Sequence, residues 1–436
     1  MLLVGFARIR FSQNQNFDPT HLFYFQSHRR VLRKLREADD RPHHFPVPRV
    51  AMNARSNLLQ PAPVAPKTRS AFTLVEMLVV ISIIGILAAV LIPAVTNAVR
   101  TARVTSLRLE ITALEGAVEQ YQQKHGDYPP DFSSWAIVER HYRKAFPRMS
   151  TNDYELLVNM LHSSGTYDAT QLDRGEVLAW TLGGYSDDTQ RPFTGPGGPL
   201  AWTGDGTNSY GDATVTDLDR QNPANFQVNI DRPNALMDFE TSRLDYSEVN
   251  DGAAMIGSNR RLSSDGDLFL SFRSDSEGAP FVYFDSRTYT LYDPNVSSGA
   301  GDFNGYGSST YGYVRPYLST NANQNRSGAN YTDQAAALGA WQFVNPNTFQ
   351  IISAGLDNNF GATASYDVNG DSNNEPIYFQ YDSGAAIAPR AGVATPTDLI
   401  VSSVSKYQES AFGDIEQYPA DNITNFSNGT VVDDVP

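Results

Sequence analysis

Cysteine is absent from the 436 residues, and histidine occurs only seven times. Disulfide staples, thiolate nucleophiles and cysteine-based zinc centres are thereby excluded, and redox usage carries no information about compartment. Beyond residue 71 the histidines reduce to His125, His141 and His162, which stand at no metal-ligand spacing. Gly-x-Ser-x-Gly elbows, Walker loops and dinucleotide fingerprints are also missing. Charge is sparse, at 19% of the residues, and its sign is uneven. Residues 1–71 hold twelve Lys/Arg against four Asp/Glu, leaving 21 against 44 in residues 72–436, a formal −23. An acidic body lacks the clustered cations that neutralise phosphates, which argues against a nucleic-acid partner. Its many carboxylates read as solvated loops and not as a paired acid and base, so the chain is expected not to be an enzyme.

What the sequence does have is one long apolar run. The stretch "RSAFTLVEMLVVISIIGILAAVLIPAV" (69–95) opens it, and Met77–Val99 carries no charge over 23 residues. A helix of roughly 20 apolar residues crosses a hydrocarbon core, so this run is expected to enter a membrane. Lys67 and Arg69 precede it, the flank expected on the cytoplasmic side, although Arg100 and Arg103 follow. "PAVTNAVR" could pass for a signal-peptide cleavage site, but the run is long and continues directly into a helical repeat, so it reads as retained. Val95, Val99, Ala102, Leu107, Ile111, Leu114, Val118 and Tyr121 recur at helical spacing with Arg103, Arg108, Glu110, Glu115 and Glu119 between them. The spacing predicts one helix, bare at first and amphipathic later, closing at "KHGDYPP", where Gly126, Pro129 and Pro130 stop it. Roughly 50 residues at about 1.5 Å each make a rod of about 75 Å, far longer than a membrane span.

These residues resemble the N-terminal signature of type IV pilins and type II secretion pseudopilins: a basic leader, a small residue, Phe-Thr-Leu-x-Glu and a hydrophobic helix. The resemblance implies that a prepilin peptidase cuts between Ala71 and Phe72 and methylates the new amine. Ala71 stands where the family usually has glycine, and it is small. Glu76 becomes the fifth residue of the mature chain, in the role of pairing with the Phe72 amine of a neighbouring subunit. Pro93 falls where the family often has a helix-loosening proline. An ionised glutamate inside a bilayer costs at least a few kcal/mol, so a position near the interface or a cationic partner is needed. The resemblance further implies a single-pass protein of the cytoplasmic membrane, with its C-terminal domain outside the cytoplasm. It also implies as partners membrane lipid, other pilin or pseudopilin subunits and an inner-membrane assembly platform, the product being an extracytoplasmic filament. "YQQKHGDYPPDF" and "FQIISAGLDNNFG" resemble the helix end and a late strand and turn of major pseudopilins, but they bracket an expanded interval of roughly 220 residues.

Within that interval "STNDYELLVNMLHSS" and "ATQLDRGEVLAWTLGG" read as short helices, the first capped by Ser150 and the second ended by Gly183. "NFQVNI", "DLFLSFR", "PFVYFDS", "TYTLY", "YGYVRPYL" and "TFQIISA" read as strands. The expected class is α+β, a pilin-like long helix packed on an antiparallel sheet with long loops. "ERHYRKAFPR" is a local basic cluster, a solvated helix face or a subunit contact. In "GLDNNFGATASYDVNGDSNNE", Asp367, Asn369 and Asp371 take the first, third and fifth places of a calcium loop, with Asp357 and Asn359 nearby. Ser372 and Tyr378 depart from that pattern at its sixth and twelfth places, and Asx-rich turns use the same residues. The pseudopilin resemblance adds weight to Ca²⁺, since such a site is frequent there.

The expected organisation is a leader over 1–71, a helix over 72–125 inserted in the membrane to about residue 95, and an exported α+β domain over 126–436. A start at Met52 gives a short basic leader and makes 1–51 an extension outside the protein proper. Two functions compete: a structural filament subunit, and a membrane-anchored surface binding or adhesive protein that uses a pilin-type signal.

Overall fold

Leucine, alanine and other good helix formers fill the run after Thr73, and in a computed structural model they form one 52-residue helix, α1 (Leu74–His125). The structure describes residues 72–436 except 164, 170, 205, 246–253, 256–260, 263–267, 291–304, 309, 324–329, 364, 371–373 and 414–418. The chain divides into two units, Met1–Thr73 and Leu74–Pro436; of the first, only Phe72 and Thr73 are described, so the leader, Met52 and Ala71 lie outside the described residues. Helix α1 is continuous through Pro93. Glu76 in the first turn and Lys124 in the last oppose the helix dipole in the favourable sense. Gly126 ends it at φ 75°, the left-handed conformation that costs glycine nothing, with its N–H bonded to Gln122 O at 2.7 Å.

The two halves of α1 have different surroundings. Leu107, Ile111, Leu114, Ala117, Val118 and Tyr121 are buried, a stripe at three-and-four spacing that enters the main core. Ahead of them every residue from Phe72 to Arg103 is exposed apart from half-buried Ala88.

Against the buried stripe lies a three-stranded antiparallel sheet, in the order Ile423–Thr424, Phe349–Ser353, Val282–Asp285. The central strand pairs Phe349 with Asp285 and Ile352 with Val282 on one side, and Ser353 with Ile423 on the other. Side chains alternate across a strand. Phe349, Ile351 and Tyr283 therefore join α1 in one core, while Ile352, Val282 and Phe284 join a second core with Tyr317, Phe343 and Tyr407. Gln350 faces the second core and is fully buried; its amide accepts from Tyr317 N–H and donates to the Tyr317 and Val344 carbonyls, so nothing polar is left over.

Elsewhere the expected strands pair locally and do not extend this sheet. Phe226–Val228 pairs with Leu200–Trp202, Ser271–Phe272 with Leu244–Asp245, Gly312–Val314 with Tyr306–Ser308, and Leu318–Ala322 with Trp341–Phe343. "TYTLY" begins as a turn at Thr288–Thr290 and then leaves the described residues. Three further helices pack nearby: α2 (Trp135–Ala145), α3 (Thr151–Leu161) and α4 (Val177–Leu182). Ser150 caps α3 as expected, its Oγ accepting from Asp153 N–H at 3.3 Å. The helix expected across "ATQLDRGEVLAWTLGG" is only six residues long. Asp173 Oδ1 accepts from Gly175 N–H and Glu176 Oε2 from Asp173 N–H, local bonds that hold the preceding turn out of the helix. Gly183 ends α4 with ordinary helical angles, and the left-handed residue is Gly184 at φ 89°.

Candidate functional site

The sequence points to the amino-terminal helix, and the structure gives it two working parts. Its outer part is apolar and uncovered: Leu74 is 81% and Ile86 67% exposed, and none of its most apolar stretch is buried. Hydroxyl groups on this part bond to the helix itself, Ser82 Oγ to Leu78 O at 2.7 Å and Thr96 Oγ1 to Pro93 O at 2.9 Å. They therefore cost little in a medium without water. Glu76 is exposed one turn into α1, and Pro93, lacking an N–H, removes one backbone bond from the ladder.

The inner part is a seat for the folded body. Arg243 donates from Nη1 and Nη2 to the two oxygens of Glu110 at 2.7 and 2.6 Å, while its Nε donates to Arg273 O at 2.8 Å and its guanidinium covers the Phe272 ring. Arg108 donates to Ser427 O, Asn425 Nδ2 to Glu115 Oε1 at 3.4 Å, and Tyr128 Oη to Glu119 Oε1 at 3.0 Å. Deepest lies Tyr121, whose hydroxyl is 2.7 Å from His141 Nε2. Burial first, then the Arg287 cation, pushes His141 down to about 3, so the imidazole is neutral.

Beyond Gly126 the chain is held by Arg287. Its Nη1 donates to Asp127 Oδ2 at 2.7 Å, Nη2 to Tyr128 O at 2.9 Å, and Nε to Asp285 Oδ2 at 2.7 Å. Asp131, almost fully buried, accepts from Arg174 Nε at 3.1 Å and Thr288 Oγ1 at 2.5 Å. Burial pushes Asp285 up to about 6 against the opposing pull of Arg287. The "GDYPPD" turn is thus tied to the sheet edge, and the direction of α1 relative to the body is fixed by buried charge. No signal in the sequence joined residues about 160 positions apart, such as Asp127 and Arg287.

The calcium expectation meets turns. Asp357 Oδ1 accepts from Asn359 N–H, Asn359 Oδ1 from Gly361 N–H and Asp367 Oδ1 from Gly370 N–H. These are Asx-type closures within three residues. No group of three or more His, Asp or Glu gathers as a metal-ligand set among the described residues, and Asp371 lies outside them.

Comparison with known proteins bears on the outer part of the helix. The "Prokaryotic N-terminal methylation motif" matches residues 66–92. The N-terminal segment is similar to that of type IV pilins and type II secretion pseudopilins. The chain is similar to the type IV major pilin protein PilE of Neisseria gonorrhoeae, 39% identical over 67 residues, which is 15% of this chain and 40% of that pilin. A fimbrial protein of Neisseria meningitidis is 38% identical over 67 residues, 15% of this chain and 39% of its own. The type II secretion system core protein G of Pseudomonas aeruginosa is 38% identical over 63 residues, covering 14% of this chain and 44% of that protein. The match thus spans less than half the length of these relatives. No solved structure matches the chain. The helix that carries the matched motif is thus joined to an α+β body.

Proposed function

We infer that the protein is a structural subunit of a type IV pilus-like or type II secretion filament, held before assembly in the cytoplasmic membrane with its body outside the cytoplasm. The observation that carries this reading is the bare outer half of α1. An apolar helix surface uncovered from Leu74 to Val99 is stable only in lipid or among other such helices, and the matched motif runs onto it. Prepilin peptidase is the processing partner, cutting between Ala71 and Phe72 and methylating the exposed amine. Glu76 then meets the Phe72 amine of a neighbouring subunit, so a charge that is costly in lipid is offset on assembly. Pro93 supplies a loosened turn where the helix must bend to pack among neighbours.

The test has two readouts. Mass spectrometry of the membrane-extracted chain is expected to find Phe72 as the methylated first residue. Immunolabelling is expected to place the body along sheared filaments. An uncleaved leader sinks the processing step, and a processed chain found only on the cell surface, never in filaments, sinks the subunit reading in favour of a tethered surface protein.

A further inference from the structure

Of the 21 basic residues in 72–436, those inside the body are mostly consumed by it. Arg174, Arg191, Arg220, Arg243, Arg273 and Arg287 each form an ion pair. A different group stands at the far end of α1. Helix α2 buries Val138, His141 and Tyr142 and turns Arg140, Arg143 and Lys144 outward, since positions three and four apart share a helix face. Lys144 Nζ reaches the Gly126 carbonyl at 2.7 Å, which brings this face to the end of α1 beside exposed Lys124, and exposed Arg148 follows three residues past the end of α2. Arg143 pairs with Glu139, but Lys124, Arg140, Lys144 and Arg148 have no carboxylate within ion-pair distance among the described residues. Four uncompensated cations thus crown a segment, residues 72–436, of formal charge −23.

The opposite charge collects at the other end of the seat. Leu356 shares a surface hollow with Val95, Val99, Arg100 and Arg103 of α1, which places its neighbour Asp357 beside the lower helix. Asp421 Oδ2 accepts from Leu356 and Asp357 N–H. Asp434 accepts from Tyr381 Oη at 2.8 Å and lies close enough to Arg108 to feel its charge, bringing exposed Asp382 and Asp433 to the same level. These carboxylates crowd one another: Asp382 is pushed up by burial and then by Asp434, and Asp421 up to about 6 by burial and then by Asp357. Five carboxylates here outnumber the arginines of that helix level, Arg100, Arg103 and Arg108, of which Arg108 is used on Ser427 O. From Arg108 to Lys124 is sixteen residues, or about 24 Å along the helix.

The body is therefore polarised along α1, basic at the far end and acidic at the membrane-facing end. Resting on the filament reading above, we propose that the α2 face around Arg140, Lys144 and Arg148 is a docking surface for a second copy of this chain, receiving the acidic end around Asp357 and Asp382 of the subunit stacked above it. Charge complementarity selects this occupant: identical bodies of −23 repel when packed at random, and head-to-tail stacking is the arrangement that brings the uncompensated cations against the crowded carboxylates.

A charge swap in the full-length chain tests it. Arg140→Glu with Arg148→Glu is expected to lower filament incorporation at least about fivefold relative to the membrane pool. Asp357→Lys with Asp382→Lys is expected to do the same. The chain carrying all four substitutions is expected to recover to within about twofold of wild type, because the contact is restored with its sign reversed. Melting of each variant in detergent guards against misfolding, and the residues chosen leave the Lys144 bond to Gly126 intact. Wild-type filaments should also shed subunits faster in 1 M salt, where screening reaches about 3 Å. Undiminished incorporation of either double variant, or no recovery in the fourfold one, overturns the proposal. So does a heparin-retained wild type whose retention falls with Arg140→Glu and Arg148→Glu while its filaments do not, since the face then serves a free polyanion. A wild-type chain absent from filaments altogether refutes the subunit reading itself, a result distinct from any of these.

Discussion

Replacing Leu114 by alanine tests whether the body is built on the inner half of α1 alone. Leu114 is fully buried, between Ile111 and Val118 on the stripe that meets the sheet, and no polar atom is lost with it. The three carbons removed carry a transfer free energy of roughly 0.8 kcal/mol each, about 2.4 kcal/mol in sum. A cavity term adds to this, because the facing wall is a sheet buried on both sides and relaxes little; the expected cost is about 3–4 kcal/mol. For a domain of this size each kcal/mol lowers the melting temperature by roughly 2–4 °C, so the drop is expected at around 6–16 °C. The assay is calorimetry of the full-length protein in detergent, with Leu87→Ala as the internal control. Leu87 is 56% exposed on the outer half and touches no core, so its truncation should leave the melt of the body unchanged. Equal shifts from the two substitutions, or no shift from Leu114→Ala, would refute the division of α1 into a seat and an uncovered half.

Arg243→Ala is expected to cost about 2 kcal/mol, between the worth of an exposed pair and a fully buried one, because it strands Glu110 and the Arg273 carbonyl in a half-buried site; a denaturant midpoint indistinguishable from wild type speaks against the clamp. Glu409, almost fully buried, accepts from Ala362 and Thr363 N–H, and burial pushes it up to about 7. Because this value lies above the unfolded one, the associated stability is present in full below about 4.5 and is lost as pH rises through about 7. Urea titrations from pH 8 to pH 5 should show wild type gaining up to about 3 kcal/mol that Glu409→Gln does not gain, and parallel profiles contradict the assignment. Glu76→Ala should fold and be processed normally, with a melt of the body like wild type, yet assemble poorly beside wild type; efficient assembly of the processed variant removes the carboxylate from the subunit contact. Millimolar Ca²⁺ against chelator asks whether Asp367, Asn369 and Asp371 bind the ion. If the Asp367 carboxylate serves only to close its turn on Gly370, the two melting curves superimpose, and a Ca²⁺-dependent rise lost in Asp367→Ala contradicts that.

Local chemistry in the sequence was enough to specify α1 as one helix: an uninterrupted supply of helix formers, and Gly126 with two prolines to stop it; the periodic stripe was read from Val95, whereas Val95, Val99 and Ala102 are exposed and burial begins only at Leu107, where the body reaches the helix. The motif around Phe72 and Glu76 was equally legible, since a signature of consecutive residues can be read without the fold. The cap at Ser150 was visible for the same reason. Strand pairing was not. Period-two alternation says which residues share a face, but it does not say that Phe349–Ser353 lies between two strands while Phe226–Val228 and Ser271–Phe272 each have a single local partner. That choice depends on which apolar faces α1 and the second core can cover, a property of the whole fold. Nor does any local rule join Glu110 to Arg243, Asp127 to Arg287 or Tyr121 to His141, and these contacts set the direction in which the helix leaves the body. The basic run of α2 was plain as composition. Its place at the far end of a rod whose near end gathers aspartates emerged only when the chain was folded, because charge separation is a matter of distance in space and not of position along the sequence.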